Sequence, residues 1–422
     1  MDVPKYFYFS RIAFASNLMT APTPSALAGL RILDFTRVLA GPSCTMLLAD
    51  FGAEVIKIEH PQRGDDTRAW GPPWLDVGDE RLSAYYLSVN RNKRSVTLNL
   101  KMPEGLALAK QLALQCDVLI ENFKVGQMAS YGLAYEQLQP DHPGLIYCSI
   151  TGYGQTGPYA SRPGYDYVIQ AQSGLMAITG PADGPPYKVG VAIADVIAGL
   201  YAANAIQAAL HYRHQTGQGQ HLDIALLDTQ LAALVNVASN FLVSGQNPPR
   251  YGNGHPNIVP YQAFDAADKP FILAVGNDLQ FAALCKIIGQ PDLARDSRFA
   301  TNPARVNHRE ILISLLQAIF IQRPADVWTA DLLNVGIPSG PINQIADAFA
   351  DPHVQARQLV QSVTFENGQE SEMIGPPVQC SATPPTVRHA PPLLGQDTAR
   401  VLTDWLGLEP DVIADYQQRG VI

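Results

Sequence analysis

Nothing in the cysteine pattern points to a disulfide framework or a zinc site: Cys44, Cys116, Cys148, Cys285 and Cys380 are scattered and form no CxxC pair. That usage fits a reducing compartment, and a cytoplasmic location is the expectation. The nine histidines show no metal-ligand spacing and no HExxH, so a metallohydrolase is excluded as a reading. No GxSxG is present, which disfavours a serine hydrolase, and "VLAGP" lacks the GxGxxG of a dinucleotide cradle. Uninterrupted apolar runs fall short of the roughly 18–20 residues of a membrane span, so no membrane is expected. Charge of positive sign is also short: 29 Lys and Arg stand against 38 Asp and Glu, a net −9, and nucleic acid is not an expected partner. The aromatic "YFYFSRIAF" lacks the charge and cleavage site of a targeting segment. Met19 opens "MTAPTPSALAGLRILDF", where the regular pattern begins, and residues 1–18 are expected to come from an upstream start.

What is present is a folded-protein composition, 47% hydrophobic and 16% charged over 422 residues, too long for one compact core. "RILDF", "SCTMLLADFG" and "AEVIKIE" read as strand, helix, strand. The alternation recurs in "SVTLNL", "PEGLALAKQLALQC" with Pro103 suited to a first helical turn, "DVLIENF" and "GLIYCSI". Strands alternating with helices predict a parallel sheet covered on its faces, an α/β, Rossmann-like large domain. Composition shifts around "QNPPRYGNGHPNIVP", where a smaller α+β domain is expected to begin. The expected division is an extension over 1–26, a large domain from 27–221 and 345–422, and linkers with the small domain over 222–344.

One carboxylate stands alone in an apolar stretch: Asp195 in "PYKVGVAIADVIAGLY". Apolar positions 196, 199, 200, 203, 206 and 210 keep helical spacing, which puts Asp195 at the expected N-cap. Capping is its ordinary role; a carboxylate kept ionised by helix-end amides also has an oxygen free to attack a carbonyl carbon. The loop "NRNKRSVTLNLK" carries Arg91, Lys93, Arg94 and Lys101 without an acidic residue, either a solvated face or, with Arg63 and Arg68 of "HPQRGDDTR", a partner for phosphates. "TGYGQTGPYASRPGYD" crowds Gly, Pro and Tyr before Asp166, as a surface loop or a site lining. "RYGNGHPNIVP" is either a linker or a source of amides for an oxyanion.

Taken together, "LAGLRILDFTRVLAGPSCTMLLADFGAEVIKIE", "NRNKRSVTLNLKMPEG", "DVLIENF", "TGYGQTGPY", "QTGQGQ" and "APPLLGQDT" resemble the class III CoA-transferase family (CaiB/BaiF type) over nearly the whole chain. "RPGYD", "SGLMAITG", "NIVPYQAF" and "GIPSGPIN" look most like its succinyl-CoA:glutarate (hydroxymethylglutarate) type. The resemblance implies that Asp195 is the catalytic nucleophile, forming aspartyl anhydride and aspartyl-CoA thioester intermediates, with CoA and acyl-CoA as substrates and no tightly bound cofactor or metal. It implies CoA contacts at Val38, Leu39 and Ala40, at Leu98, Asn99, Leu100 and Lys101, and at Asn122 and Phe123, with Tyr165 and Asp166 beside them. Where formyl-CoA transferase carries an arginine this chain has Pro61, and Arg63 is expected to serve instead; another family arginine falls at Ser130. "YGNGHP" takes the place of the family's glycine loop. An interlocked homodimer is implied as well.

Two other readings stand beside the transferase. The related α-methylacyl-CoA racemases carry a histidine where this chain has Tyr165, and a phenol, which ordinarily titrates near pH ~10, suits proton exchange at carbon poorly. A non-catalytic CoA-binding protein is the third. Arg162, Arg250 and Lys188 are the candidates to hold a substrate's distal carboxylate.

Overall fold

The computed structural model describes residues 25–422; the expected extension at 1–26 and the alternative start at Met19 lie almost wholly outside them. Six strands form the main sheet: β1 (Arg31–Asp34), β2 (Glu54–Glu59), β3 (Lys93–Thr97), β4 (Val118–Glu121), β5 (Ile146–Thr151) and β6 (Gln220–Ala225). Their spatial order is β3-β2-β1-β4-β5-β6, and every neighbouring pair is parallel. This is the doubly wound order whose sense reverses between β1 and β4. The loops leaving those two strands diverge to opposite faces, which opens a crevice at their carboxyl ends.

Both faces of the sheet are covered, so its central strands β1, β4 and β5 read as short apolar runs. Ile32, Val55, Val118 and Ile146 face the helices Ala40–Asp50 and Ile193–Thr216. Their neighbours Leu33, Ile56 and Leu119 face the other way, onto Pro103–Ala113 and Thr398–Leu406. Pro103 takes the first turn of its helix as expected. The helix Ile193–Thr216 is, among the described residues, one unbroken helix long and apolar enough by length and composition to cross a membrane, although Asp195, Asn204 and Gln207 interrupt it. Its small residues Ala194, Ala198, Gly199, Ala202 and Ala203 are buried, packed into the core it shares with Ala40–Asp50.

The chain after residue 385 returns to close the open edge of the sheet. Along β3, the Ser95 N–H donates to Asp397 Oδ2 and the Thr97 N–H to Thr398 Oγ1, both at 3.0 Å. A separate core between Val259 and Ile337 is built on an antiparallel sheet of β7 (Tyr261–Asp265), β8 (Pro270–Ala274) and β9 (Ser339–Pro341). Two expectations need correction. The boundary at 221 cuts β6, which pairs with β5 along its whole length. The helix read through "TQLAALVNVASNFLVSG" is two, Leu226–Ala232 and Val235–Ser244, bent by 79°.

Candidate active site

The loop after β1 forms the floor of the crevice, and buried charge fixes it. Asp34 accepts from the hydroxyls of Thr36 and Thr45 and lies 3.3 Å from the Lys93 ammonium. Lys57 donates to the Thr36 carbonyl at 2.7 Å and pairs with Asp65 at 2.8 Å. Burial opposes ionisation of Asp65, yet Lys57 and the Thr67 amide and hydroxyl hold it down to about 2. Asp65 Oδ1 in turn accepts the Val38 N–H at 3.2 Å. Val38 needs that support, because its φ is +72°, a left-handed conformation that costs a β-branched residue on the order of 1–3 kcal/mol. Across the crevice, Asn122 accepts the Arg37 N–H at 2.9 Å and donates to the Arg37 carbonyl at 2.7 Å. The two loops at the reversal point are therefore stitched into one surface.

Asp195 reaches this crevice from the first turn of Ile193–Thr216. It is not the N-cap: the helix begins two residues earlier, behind Ala192, with no side-chain cap of its own. The capping carboxylate is Asp166, whose Oδ1 accepts the Ala194 N–H at 2.7 Å while Oδ2 accepts from the Gln170 amide at 2.7 Å. Asp195 is thus spared, and its environment does the reverse of what was expected. Burial and then the negative charge of Asp166 push its carboxyl up to about 7, with no cation opposing them. Position along the helix axis is set at Gly199, one turn on. A Cβ there would stand 2.7 Å from the Ala40 carbonyl oxygen and closer still to Ser43 Oγ, so glycine brings Asp195 down onto the Val38–Ala40 loop.

Two adjoining cavities occupy the crevice. Asp195 and Tyr165 line the first together with Val38, Leu39, Ala40, Asn122 and Phe123. Arg63, Leu98, Asn99, Leu100 and Lys101 line the second, again with Phe123. Arg37, Asp66, Phe123 and Gln127 are common to both, so the cavities meet along one wall. Phe123 is held there by its N–H, which donates to Glu121 Oε2 at 2.8 Å. Of the thirteen residues that the family resemblance assigns to catalysis or CoA contact, twelve line this continuous cleft. Asp166 alone does not: it is buried behind the wall as the cap just described.

The model of CoA-transferase family III matches residues 27–398. This chain belongs to that family. A succinate–glutarate CoA-transferase of Agrobacterium fabrum is 50% identical over 381 residues, 90% of this chain and 95% of that one. The human succinyl-CoA:glutarate CoA-transferase is 45% identical over 396 residues, 94% and 90% of the two chains. A crystal structure of a CaiB/BaiF family protein from Brucella suis superposes with a TM-score of 0.80 at 46% identity, covering 90% of this chain and 100% of that one. The protein is a class III CoA-transferase.

Within this transferase, the basic stretch of residues 91–101 proves neither a solvated face nor, for the most part, a phosphate site. Arg91 is buried against Asp50 in a two-pronged pair, with Nη2–Oδ2 at 2.6 Å and Nε–Oδ1 at 3.0 Å. Lys93 is buried beside Asp34, and burial draws its ammonium down to about 8. Arg94 pairs with Glu54 and Arg68 with Glu59, both at close range. Lys101 and Arg63 are the cations of that set that line the cleft. Arg250 spends its guanidinium on the carbonyls of Ala177, Pro181 and Gly184, and Lys188 reaches the Val189 carbonyl; neither lines the cleft, nor does the loop 251–256.

Sequence reasoning missed Arg37, Asp66, Gln127 and Tyr85. Arg37 pairs with Asp66 at 3.1 Å and lies over the Phe123 ring. Tyr85 is near enough to feel Asp195 and Asp166: after burial, their charges are the next causes that push its phenol up to about 12. Only the three-dimensional fold brings Asp66 and Gln127 to the crevice and Tyr85 near Asp195, although the position of Arg37 directly after the β1 turn was a usable signal.

Proposed function

We propose that this transferase moves CoA from a succinyl thioester to a five-carbon dicarboxylic acid such as glutarate, with Asp195 as the nucleophile. The observation that carries the reading is a carboxylate without an ion-pair partner among the described residues, opening into the cleft at the reversal point of the sheet and ionising near neutral pH. The substrates are those named for the Agrobacterium and human relatives.

An Asp195 oxygen attacks the thioester carbonyl carbon, the C–S bond breaks, and a mixed succinyl-aspartyl anhydride and CoA thiolate remain. The thiolate attacks the aspartyl carbonyl of that anhydride, releasing succinate and leaving an aspartyl-CoA thioester. The acceptor carboxylate then attacks this thioester, giving a second anhydride and free thiolate. Attack of the thiolate on the acceptor's acyl carbon yields the new acyl-CoA and returns Asp195 as a carboxylate. One thioester is exchanged for another, so the sequence calls for no ATP, metal or resident cofactor. The Val38–Ala40 and Asn122–Phe123 loops line the Asp195 end for the thioester. Arg63 and Lys101 supply the positive charge at the second cavity for the CoA phosphates.

The test is incubation with succinyl-CoA and a panel of acids, reading acyl-CoA products and intact mass, beside Asp195→Ala. New acyl-CoA from the wild type, absent in the variant, with an adduct on Asp195, supports the reading. No exchange, but deuterium entry at the α-carbon of a 2-methylacyl-CoA, establishes the racemase instead.

The working unit of this reading is a homodimer. Leu242 and Val243 on Val235–Ser244 are 80% and 89% exposed, and Leu200 and Tyr201 are exposed on the helix of Asp195, apolar side chains that a second copy would cover. A stable folded monomer in sedimentation at micromolar concentration overturns this.

A further inference from the structure

We infer that Arg162 is the specificity-determining residue that holds the distal carboxylate of the acceptor acid, an inference resting on the dicarboxylate reading above. Three cations line the cavity of Asp195: Arg37, Lys124 and Arg162. Arg37 is committed to Asp66. Lys124 follows Phe123, the residue of the β4 loop that both cavities share, and offers a single ammonium rather than the planar fork of an arginine. Arg162 is on the loop after β5, exposed, and among the described residues its guanidinium has no carboxylate partner.

Its position is nevertheless defined. The guanidinium carbon lies 3.6 Å over the Tyr159 ring, and the Arg162 N–H donates to the Tyr159 carbonyl at 2.8 Å. Tyr159 packs edge-on against Tyr153, whose hydroxyl donates to Gln172 at 2.7 Å. Two residues on, Gly164 meets Gly152 so closely that a Cβ on either would approach the other's Cα to 2.6 Å, which pins the loop to the end of β5. Asp166, four residues on, is bonded to the helix of Asp195. The fork of Arg162 is therefore held by stacking, with its hydrogen-bonding edge unspent, in a frame rigidly connected to the nucleophile. Burial and Asp166 act on the Asp195 carboxyl and no arginine does, so Arg162 is not its ion-pair partner. A second carboxylate entering between them meets a planar donor pair suited to two-pronged binding.

The experiment measures acceptor kcat/KM, which in a double-displacement reaction reports the second half-reaction alone, for glutarate and for pentanoate, its analogue without the distal carboxylate. Arg162→Gln is expected to lower the value for glutarate about 10- to 100-fold, the scale of a lost charge-assisted contact. The value for pentanoate and the melting temperature stay within about twofold and a degree or two of wild type. Arg162→Lys restores part of the glutarate rate, and Lys124→Gln leaves the glutarate-to-pentanoate ratio unchanged. Equal losses for the two acids in Arg162→Gln, or no loss, overturn the assignment while leaving the transferase reading intact. A wild type that passes CoA to pentanoate as readily as to glutarate overturns the dicarboxylate reading itself.

Discussion

Asp166 grips the amide of Ala194, the residue before Asp195, at 2.7 Å, and by the same placement sets a negative charge near the Asp195 carboxyl. One side chain thus fixes the position of the nucleophile and makes it harder to ionise. The ionised form attacks, so the rate of the first half-reaction falls as pH drops below about 7. Asp166→Asn keeps an oxygen for the Ala194 amide and removes the charge. The acidic limb of the pH profile of kcat/KM for the acyl-CoA donor then moves to lower pH. A limb that stays in place shows that the charge of Asp166 does not act on Asp195.

The same raised pKa ties activity against stability. In the unfolded chain Asp195 titrates near 3.8 and in the folded protein near 7, so the native state binds the extra proton across that window. Folding stability contributed by this group therefore declines as pH rises from about 4 to about 7, and the full cost is present above. Asp195→Asn removes it. The variant is inactive as a transferase, more stable than wild type by about 1–3 kcal/mol at pH 8, and no more stable at pH 4. Thermal denaturation at the two pH values reads the difference.

Gly199→Ala places a methyl group against the Ala40 carbonyl and Ser43, forcing the two helices apart. Overpacking of this kind costs about 1–3 kcal/mol. The displacement of Asp195 from the Val38–Ala40 loop lowers kcat roughly 10- to 100-fold. An unchanged kcat with a lowered melting temperature shows that the site tolerates the shift.

Arg63 and Arg91 separate binding from folding. Arg63→Gln raises KM for the acyl-CoA about 3- to 10-fold, less so in high salt, with no change in melting temperature. Arg91→Gln leaves KM alone and destabilises the protein by about 3–5 kcal/mol, because Asp50 stays buried without its guanidinium. Michaelis curves at two ionic strengths, beside melting curves, decide each.

Strands β1, β4 and β5 were legible because burial on both faces leaves short apolar runs, and Pro103 and Gly52 punctuated the helices between them. Most of the cleft was legible for the same reason, since its residues follow directly on strand ends. What escaped was whatever depends on a partner far along the chain. Arg91 and Lys93 look solvated until Asp50 and Asp34, 41 and 59 residues away, are folded beneath them. Asp195 reads as a cap because the true cap, Asp166, comes from 28 residues upstream of Ala194 and acts through space. The bend after Ala232 escaped as well, as nothing in its apolar sequence breaks the helical period.

The open edge of β3 is sealed by Asp397 and Thr398, and the Asn99 N–H beside it donates to the Val421 carbonyl at 2.8 Å. On the ribosome those groups do not yet exist when β3 emerges. At typical synthesis rates the edge waits roughly 15–60 s for its cover. During that interval a row of unpaired amides is offered to any passing strand, including that of a neighbouring nascent chain. Yield in a cell then depends on how fast residues 386–422 are delivered, so slow codons after the small domain lower soluble recovery even though every contact in the finished protein is the same.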